Sequence, residues 1–181
     1  MAGNSSRDKT EPTDFVISPI TVLVDSNEGA PYSFQNLACD SSKSYKPLII
    51  RTKKKRLATG DYSIEGFEDQ VTVERKSPED AYGTFLGFQK DRRGRFKRQL
   101  QRMQEMDFSI VVIEGEFSRM VNNPPAHFEG KGKLFYRTVL SWEVEFRGGG
   151  FMGFAFMGTR ANAERSTFRY LEKWVLKSGN W

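Results

Sequence analysis

The sequence predicts an α/β protein, a three-layer α/β/α sandwich around a mixed central sheet. Two observations carry that reading. Short apolar runs rich in β-branched or aromatic residues recur at 20–24, 48–50, 108–114 and 151–157. Between them lie stretches whose apolar residues repeat at helical spacing, enough of them to cover both faces of a sheet. At 181 residues one domain is the default, and fifteen Phe, six Tyr and three Trp supply its core. Residues 1–18 mix Ser, Asp, Lys, Thr, Glu and Pro with few apolar positions and read as a flexible polar tail, so the domain is placed at 19–181.

Taken in order, Ile20 to Val24 is a continuously apolar run ending at Asp25, the pattern of a strand covered on both faces. Residues 26–46 are turn-rich. Leu48 to Ile50 forms a second strand ahead of the basic run Arg51–Arg56. From Leu57 to Lys76 two alternating stretches flank a loop holding Glu65, Gly66, Phe67, Glu68 and Asp69, which reads as a β-hairpin. Ser77 as N-cap, Pro78 at the first helical position and Glu79 and Asp80 in the first turn start a helix that runs to about Gln89. In Gly94–Met106, Phe96, Leu100 and Met103 share one face while Arg95, Arg98 and Arg102 occupy others, which makes an amphipathic basic helix. Phe108 to Glu114 is a buried strand, Leu134 to Phe146 a helix stopped by Gly148–Gly150, and Phe151 to Met157 another strand. Thr159 or Asn162 caps a last helix whose Phe168, Leu171 and Val175 lie together, with Gly179 as its stop.

Composition removes several chemistries. One Cys excludes an internal disulfide framework and multi-thiolate zinc, and one His excludes the common multi-histidine metal centres. A divalent cation here needs carboxylates. The sequence has no apolar run of membrane-spanning length and no signal-peptide core at its N-terminus, so an intracellular protein with no membrane partner is expected. The net charge of +5 makes nucleic acid the first partner to test, and being mild it leaves charge distribution to decide.

The hairpin carries the chemistry. Pairing Ile64 with Val71 sets Tyr62 opposite Val73 and Asp61 opposite Glu74. In that register Tyr62, Ile64, Val71 and Val73 share one face, and Asp61, Ser63, Thr72, Glu74 and Lys76 the other. Opposed carboxylates on paired strands are unfavourable unless a cation sits between them, and their spacing suits a hard ion. Two acids beside a lysine fit metal-assisted phosphodiester hydrolysis, in which the cation polarises the phosphate and acidifies a water while the ammonium positions that water or balances charge. Asp25 and Glu28, at the end of the first strand, could reach the same rim or serve as turn residues, and Asp80 is explained by helix capping as well as by catalysis.

Gly60-Asp61-Tyr62, then Glu74-Arg75-Lys76 and, after three residues, Asp80, resemble the GD…ERKxxxD signature of the XPF-type structure-specific endonuclease family. Val24-Asp25-Ser26-Asn27-Glu28 is similar to that family's VDxRE segment. Gly94-Arg95-Phe96 through Gln99-Leu100 is similar to its RF…QL helix, and Ile113-Glu114-Gly115 to the strand that follows; the likeness covers roughly residues 20–177. The resemblance implies a restriction-endonuclease-like fold and Mg²⁺- or Mn²⁺-dependent incision of one strand near junctions in branched DNA, leaving a 3′-hydroxyl and a 5′-phosphate. By position it implies Asp61 and Glu74 as metal ligands joined by Asp25, Lys76 as the residue orienting the attacking water, Asp25, Glu28 and Asp80 as acids at the rim, and Arg75 as the residue ordering the motif.

Two departures follow. Asn27 stands where the family has Arg, which removes a planar donor beside Glu28. No tandem helix-hairpin-helix module is expected after Trp174, so DNA must be gripped otherwise, by a homodimer, a partner subunit or basic segments. One such segment holds Lys90, Arg92, Arg93, Arg95, Lys97, Arg98 and Arg102 and reads as a phosphate-tracking surface, against the alternative of a solvated helix face. The other holds Lys53, Lys54, Lys55 and Arg56 and is either a second flank of the cleft or a basic turn. Neither has a groove-reading pattern, so backbone recognition with strong salt dependence is expected. The alternative function is a non-catalytic nucleic-acid-binding or scaffolding domain on the same fold. His127 and Cys39 have no partners that make a site, and the Phe/Met/Gly-rich segment 151–158 is a core strand or else a hydrophobic dimer surface.

Overall fold

A computed structural model describes residues 14–40, 45–87 and 91–179. Six strands form one sheet in the order β2-β1-β3-β4-β5-β6. They are β1 (Val16–Asp25), β2 (Leu48–Lys55), β3 (Tyr62–Ile64), β4 (Val71–Lys76), β5 (Phe108–Ile113) and β6 (Phe151–Phe156). The helices are α1 (Pro78–Leu86), α2 (Arg92–Gln104), α3 (Phe117–Asn122), α4 (Gly132–Phe146) and α5 (Arg160–Ser178), with a 3₁₀ turn at Ala126–Phe128. The β1–β2, β4–β5 and β5–β6 pairs are parallel, while β3 runs antiparallel to β1 and β4, so the sheet is mixed as expected.

Two apolar clusters sit on opposite faces of the sheet. Val22, Val24, Tyr62, Ile64, Val71, Val73, Ile110 and Val112 meet α5 through Ala163, Phe168, Leu171 and Val175, and the segment after β1 adds Tyr32, Phe34 and Leu37. On the other face Val111, Ile113 and Phe151 pack against α1, α2 and α4 through Tyr82, Phe85, Phe96, Leu100, Phe135 and Trp142. Alternation decides the assignment: Ile110 and Val112 point one way, Val111 and Ile113 the other.

Several element ends differ from the sequence expectation. β1 opens at Val16 rather than near Ile20, and its register shifts between Ile17 and Thr21. Pro19, which has no N–H to give a ladder, lies inside that irregularity. β2 continues to Lys55 through the basic run, as an edge strand whose Lys53 and Lys55 pair with Glu65 and Glu68. Charged edges of this kind resist strand addition. α1 stops at Leu86 because Gly87 turns left-handed with φ 71°; the tail of the helix expected to about Gln89 falls partly on residues 88–90, outside those described. Ser77 caps α1 and Thr159 caps α5 as anticipated, each accepting from the backbone N–H three residues on. α3 and the 3₁₀ turn were not anticipated. α4 ends at Phe146, where Arg147 turns extended, and the glycines beyond it allow a close approach: a Cβ at Gly149 or Gly150 would meet the Gln104 and Met106 carbonyls at 2.2 and 1.6 Å.

Candidate active site

The β3–β4 hairpin takes the expected register, with Tyr62 opposite Val73. Asp61 precedes β3 and is fixed at three points. Its N–H donates to the Val73 carbonyl at 3.0 Å, its carbonyl accepts from the Asp25 N–H at 2.8 Å, and its Oδ2 accepts from the Arg75 N–H at 2.7 Å. The polar face of the hairpin is itself buried: Ser63 and Thr72 are closed off, and Glu74 and Lys76 are 5% and 7% exposed. The Thr72 hydroxyl donates to the Thr59 and Tyr62 carbonyls, which ties the loop before Asp61 to β4.

Glu74 is held from both sides. Lys76 Nζ donates to Glu74 Oε1 at 2.6 Å, and the side-chain amide of Gln99 on α2 donates to Oε2. The same ammonium lies 3.1 Å from Asp80 and over the Phe96 ring at 4.6 Å, while Asp80 also pairs with Arg92. Burial first, and the Glu74 charge second, push the Asp61 carboxyl well above the usual carboxylate range, with Lys76 and the Arg75 N–H opposing. Two acids that repel in a desolvated setting favour either a proton or a cation between them.

Asp25, Asp61 and Glu74 line one cleft of about 230 Å³ together with Arg56, Gln99 and Arg102. Asp25 does not converge with the other two acids: its Oδ1 accepts from the Leu57 N–H at 3.0 Å and Oδ2 lies 3.6 Å from Arg56. Among the described residues no three His, Cys, Asp or Glu side chains form a metal-holding group. Glu28, unlike Asp25, does not line the cleft. Its Oε1 accepts from the Ala30 N–H and from Arg75, whose side chain grips Glu114 bidentately at 2.7 and 3.0 Å. Arg75 alternates with Glu74 and Lys76 along β4 and so projects from the opposite face of the sheet. There Arg160 adds a second cation to Glu114 and stands over Tyr32. Arg75 therefore touches the cleft only through its backbone N–H.

The basic residues divide. Arg92, Lys97 and Arg98 are spent on Asp80, Glu145 and Asp91, and Arg93 donates to the Phe85 carbonyl while lying over Trp142. Arg95 lines a second cleft of about 180 Å³ beside Lys76. Lys54 carries no ion pair among the described residues, and Lys90 lies outside them. Sequence reasoning missed the work of Gln99, Glu114 and Arg160. Gln99 was visible only within the RF…QL likeness, with nothing local to say that it meets Glu74.

An α/β sheet that sets two acids and a lysine on one face at its strand ends, under a basic helix, defines a nuclease-fold domain. The chain belongs to the ERCC4 domain family, whose model matches residues 24–139. Among solved structures it is similar to XPF from Aeropyrum pernix, with a TM-score of 0.54 and 18% identity over 87% of this chain and 61% of that one. At that identity the likeness speaks to the fold, and this chain spans less than two thirds of that protein's length. No curated protein matches the sequence.

Proposed function

We propose that this domain is a metal-dependent DNA endonuclease that hydrolyses phosphodiester bonds in branched or junction-containing DNA, leaving a 5′-phosphate and a 3′-hydroxyl. One observation carries the reading: two buried carboxylates that repel each other, Asp61 and Glu74, share a cleft, and a buried lysine, Lys76, is bonded to Glu74. A structural role has no need of that costly set. The donors fit a hard cation, being oxygens only, and Mg²⁺ is held by one or two carboxylates with waters completing its shell. Asp61 and Glu74 would hold Mg²⁺ or Mn²⁺, with Asp25 adding charge at the cleft wall. When bound, the ion supplies neutralisation of phosphate charge.

The chain's own groups do the rest. Lys76, fixed between Glu74 and Asp80, presents a donor that orients the attacking water and balances charge on the phosphate. Gln99 and Lys76 hold the two Glu74 oxygens, and the Arg75 N–H holds Asp61. Arg75, Glu28 and Glu114 brace β4 from the opposite face. Lys54 and Arg95, which have no ion pair among the described residues, and the weakly paired Arg56 contact DNA phosphates, as does Lys90. A second copy or a partner subunit extends the grip, and the protein works inside the cell; no helix of the described residues is long and apolar enough to cross a membrane.

The test is a panel of labelled forks, flaps, nicked junctions and plain duplex incubated with Mg²⁺, Mn²⁺ or EDTA. Cleavage that requires the metal and disappears in Asp61→Ala and Glu74→Ala, with folding retained, is expected. Cleavage unchanged in either variant or in EDTA overturns the reading. DNA binding without any cleavage favours a scaffolding domain.

A further inference from the structure

The cations of α2 are not equivalent. Lys97 and Arg98 meet carboxylates and are directed away from the acids, whereas Arg102 lines the same cleft as Asp61 and Glu74. Its Nε donates to Thr59 Oγ1 at 3.0 Å and Nη1 to the Arg98 carbonyl at 3.2 Å. Both acceptors are neutral, so the guanidinium is held in place while its charge remains uncompensated among the described residues, with Nη2 unused. Thr59 is buried and bonded through its carbonyl to Thr72 Oγ1 at 2.9 Å, and it stands two residues before Asp61. Arg102 is thus anchored to the loop that positions the carboxylate.

An anionic phosphate entering this cleft meets three acids, Asp25, Asp61 and Glu74. Lys76 is committed to Glu74 and Asp80, and Arg56 is two-thirds exposed beside Asp25. The remaining fixed charge is Arg102. We infer that Arg102 seats the reacting phosphodiester at the carboxylate cleft, its planar fork taking non-bridging oxygens of one DNA phosphate. The role rests on the nuclease reading above, and it separates Arg102 from the other cations of α2, which at most add non-specific attraction.

Arg102→Gln and Arg102→Lys are compared with Arg98→Gln, after circular dichroism has shown each to be folded. In metal-free buffer the arginine Nε–H NMR signal that disappears in Arg102→Lys is followed while a 5′-phosphorylated thymidine dinucleotide is added. That signal is expected to shift saturably, at lower dinucleotide concentration than the Arg98 signal. With a forked DNA, Arg102→Gln is expected to lower the single-turnover rate in Mg²⁺ by about 100-fold, the scale for losing one charge-stabilising donor. Its binding in Ca²⁺ should weaken by no more than about fivefold. Arg102→Lys restores part of the rate, and Arg98→Gln changes binding more than rate. A static Arg102 signal, or a rate within about twofold of wild type for Arg102→Gln, overturns the assignment. Absence of cleavage by the wild-type protein overturns the nuclease reading alone, since the dinucleotide titration still decides Arg102.

Discussion

A Cβ at position 60 would fall 1.9 Å from Thr72 Oγ1, and the backbone there has φ +77°, so glycine is what lets the loop before Asp61 press onto β4. Gly60→Ala should cost about 1–3 kcal/mol for the left-handed backbone alone. It should also push Asp61 and Thr59 out of place, so cleavage falls further than stability does. Thermal melting and single-turnover assays on one preparation check this, and full activity in a destabilised variant would refute it. Asp61→Asn tests the cation argument without relying on activity. The substitution removes one of two buried like charges and keeps an acceptor for the Arg75 N–H. The metal-free variant should therefore melt a few degrees above wild type at pH 7, on the scale of about 2–4 °C per kcal/mol, and Mg²⁺ should raise the melting temperature of wild type only. A variant that melts lower has lost a bond worth more than the repulsion. Asp61, Glu74 and Lys76 were legible because a period of two sorts a hairpin strictly. Gln99, Glu114 and Arg160 were not, since each meets its partner 25 or more positions away in sequence and only across packed elements.

At the scale of elements, legibility followed the strength of local signals. α1 has Ser77, Pro78 and two acids at its start, and α2 buries Phe96, Leu100 and Met103 at helical spacing. α3 has six residues and buries only Met120, too little to impose a period. β2 was cut short because an unbroken basic run looks like a loop until Glu65 and Glu68 are seen facing Lys53 and Lys55. Met120 matters through its carbonyl, which accepts the Tyr82 hydroxyl, while the Tyr82 ring stacks on Phe135 at 4.1 Å. That bond fastens α1 to α3. Tyr82→Phe should cost about 1 kcal/mol at neutral pH by leaving a buried acceptor unpaired. Burial pushes the Tyr82 phenol up to about 12. An acid whose pKa is raised by folding stabilises fully below its unfolded value, about 10, and that contribution is lost as pH rises through the folded value. The wild-type advantage over Tyr82→Phe should therefore shrink between the unfolded value and about 12. Urea melts at neutral and strongly alkaline pH measure it, and a gap that widens with pH would contradict the argument.

For the whole molecule, the question is how a net charge of +5 becomes a grip on DNA. The sequence offered eleven cations in two segments, and counting them overstates the surface. Lys53, Lys55, Arg92, Lys97 and Arg98 are in ion pairs, and Arg93 is turned onto Trp142. Lys54, Arg56, Arg95 and Arg102 remain among the described residues, with Arg56 only loosely paired at 3.6 Å. Net charge is a property of composition, whereas counterion release depends on which charges are free to meet phosphates. With about four such contacts, the logarithm of the binding constant for duplex DNA should fall with the logarithm of salt concentration at a slope of about −3.6. Exposed ion pairs are worth only about 0–1 kcal/mol, so phosphates can compete for their cations. A measured slope of about −7 or steeper would mean that the pairs on α2 and β2 open on binding. Repeating the titration with Lys97→Gln and Arg98→Gln separates the cases: slopes unchanged from wild type leave those pairs intact in the complex, and a loss of about one unit for each shows that they had been recruited.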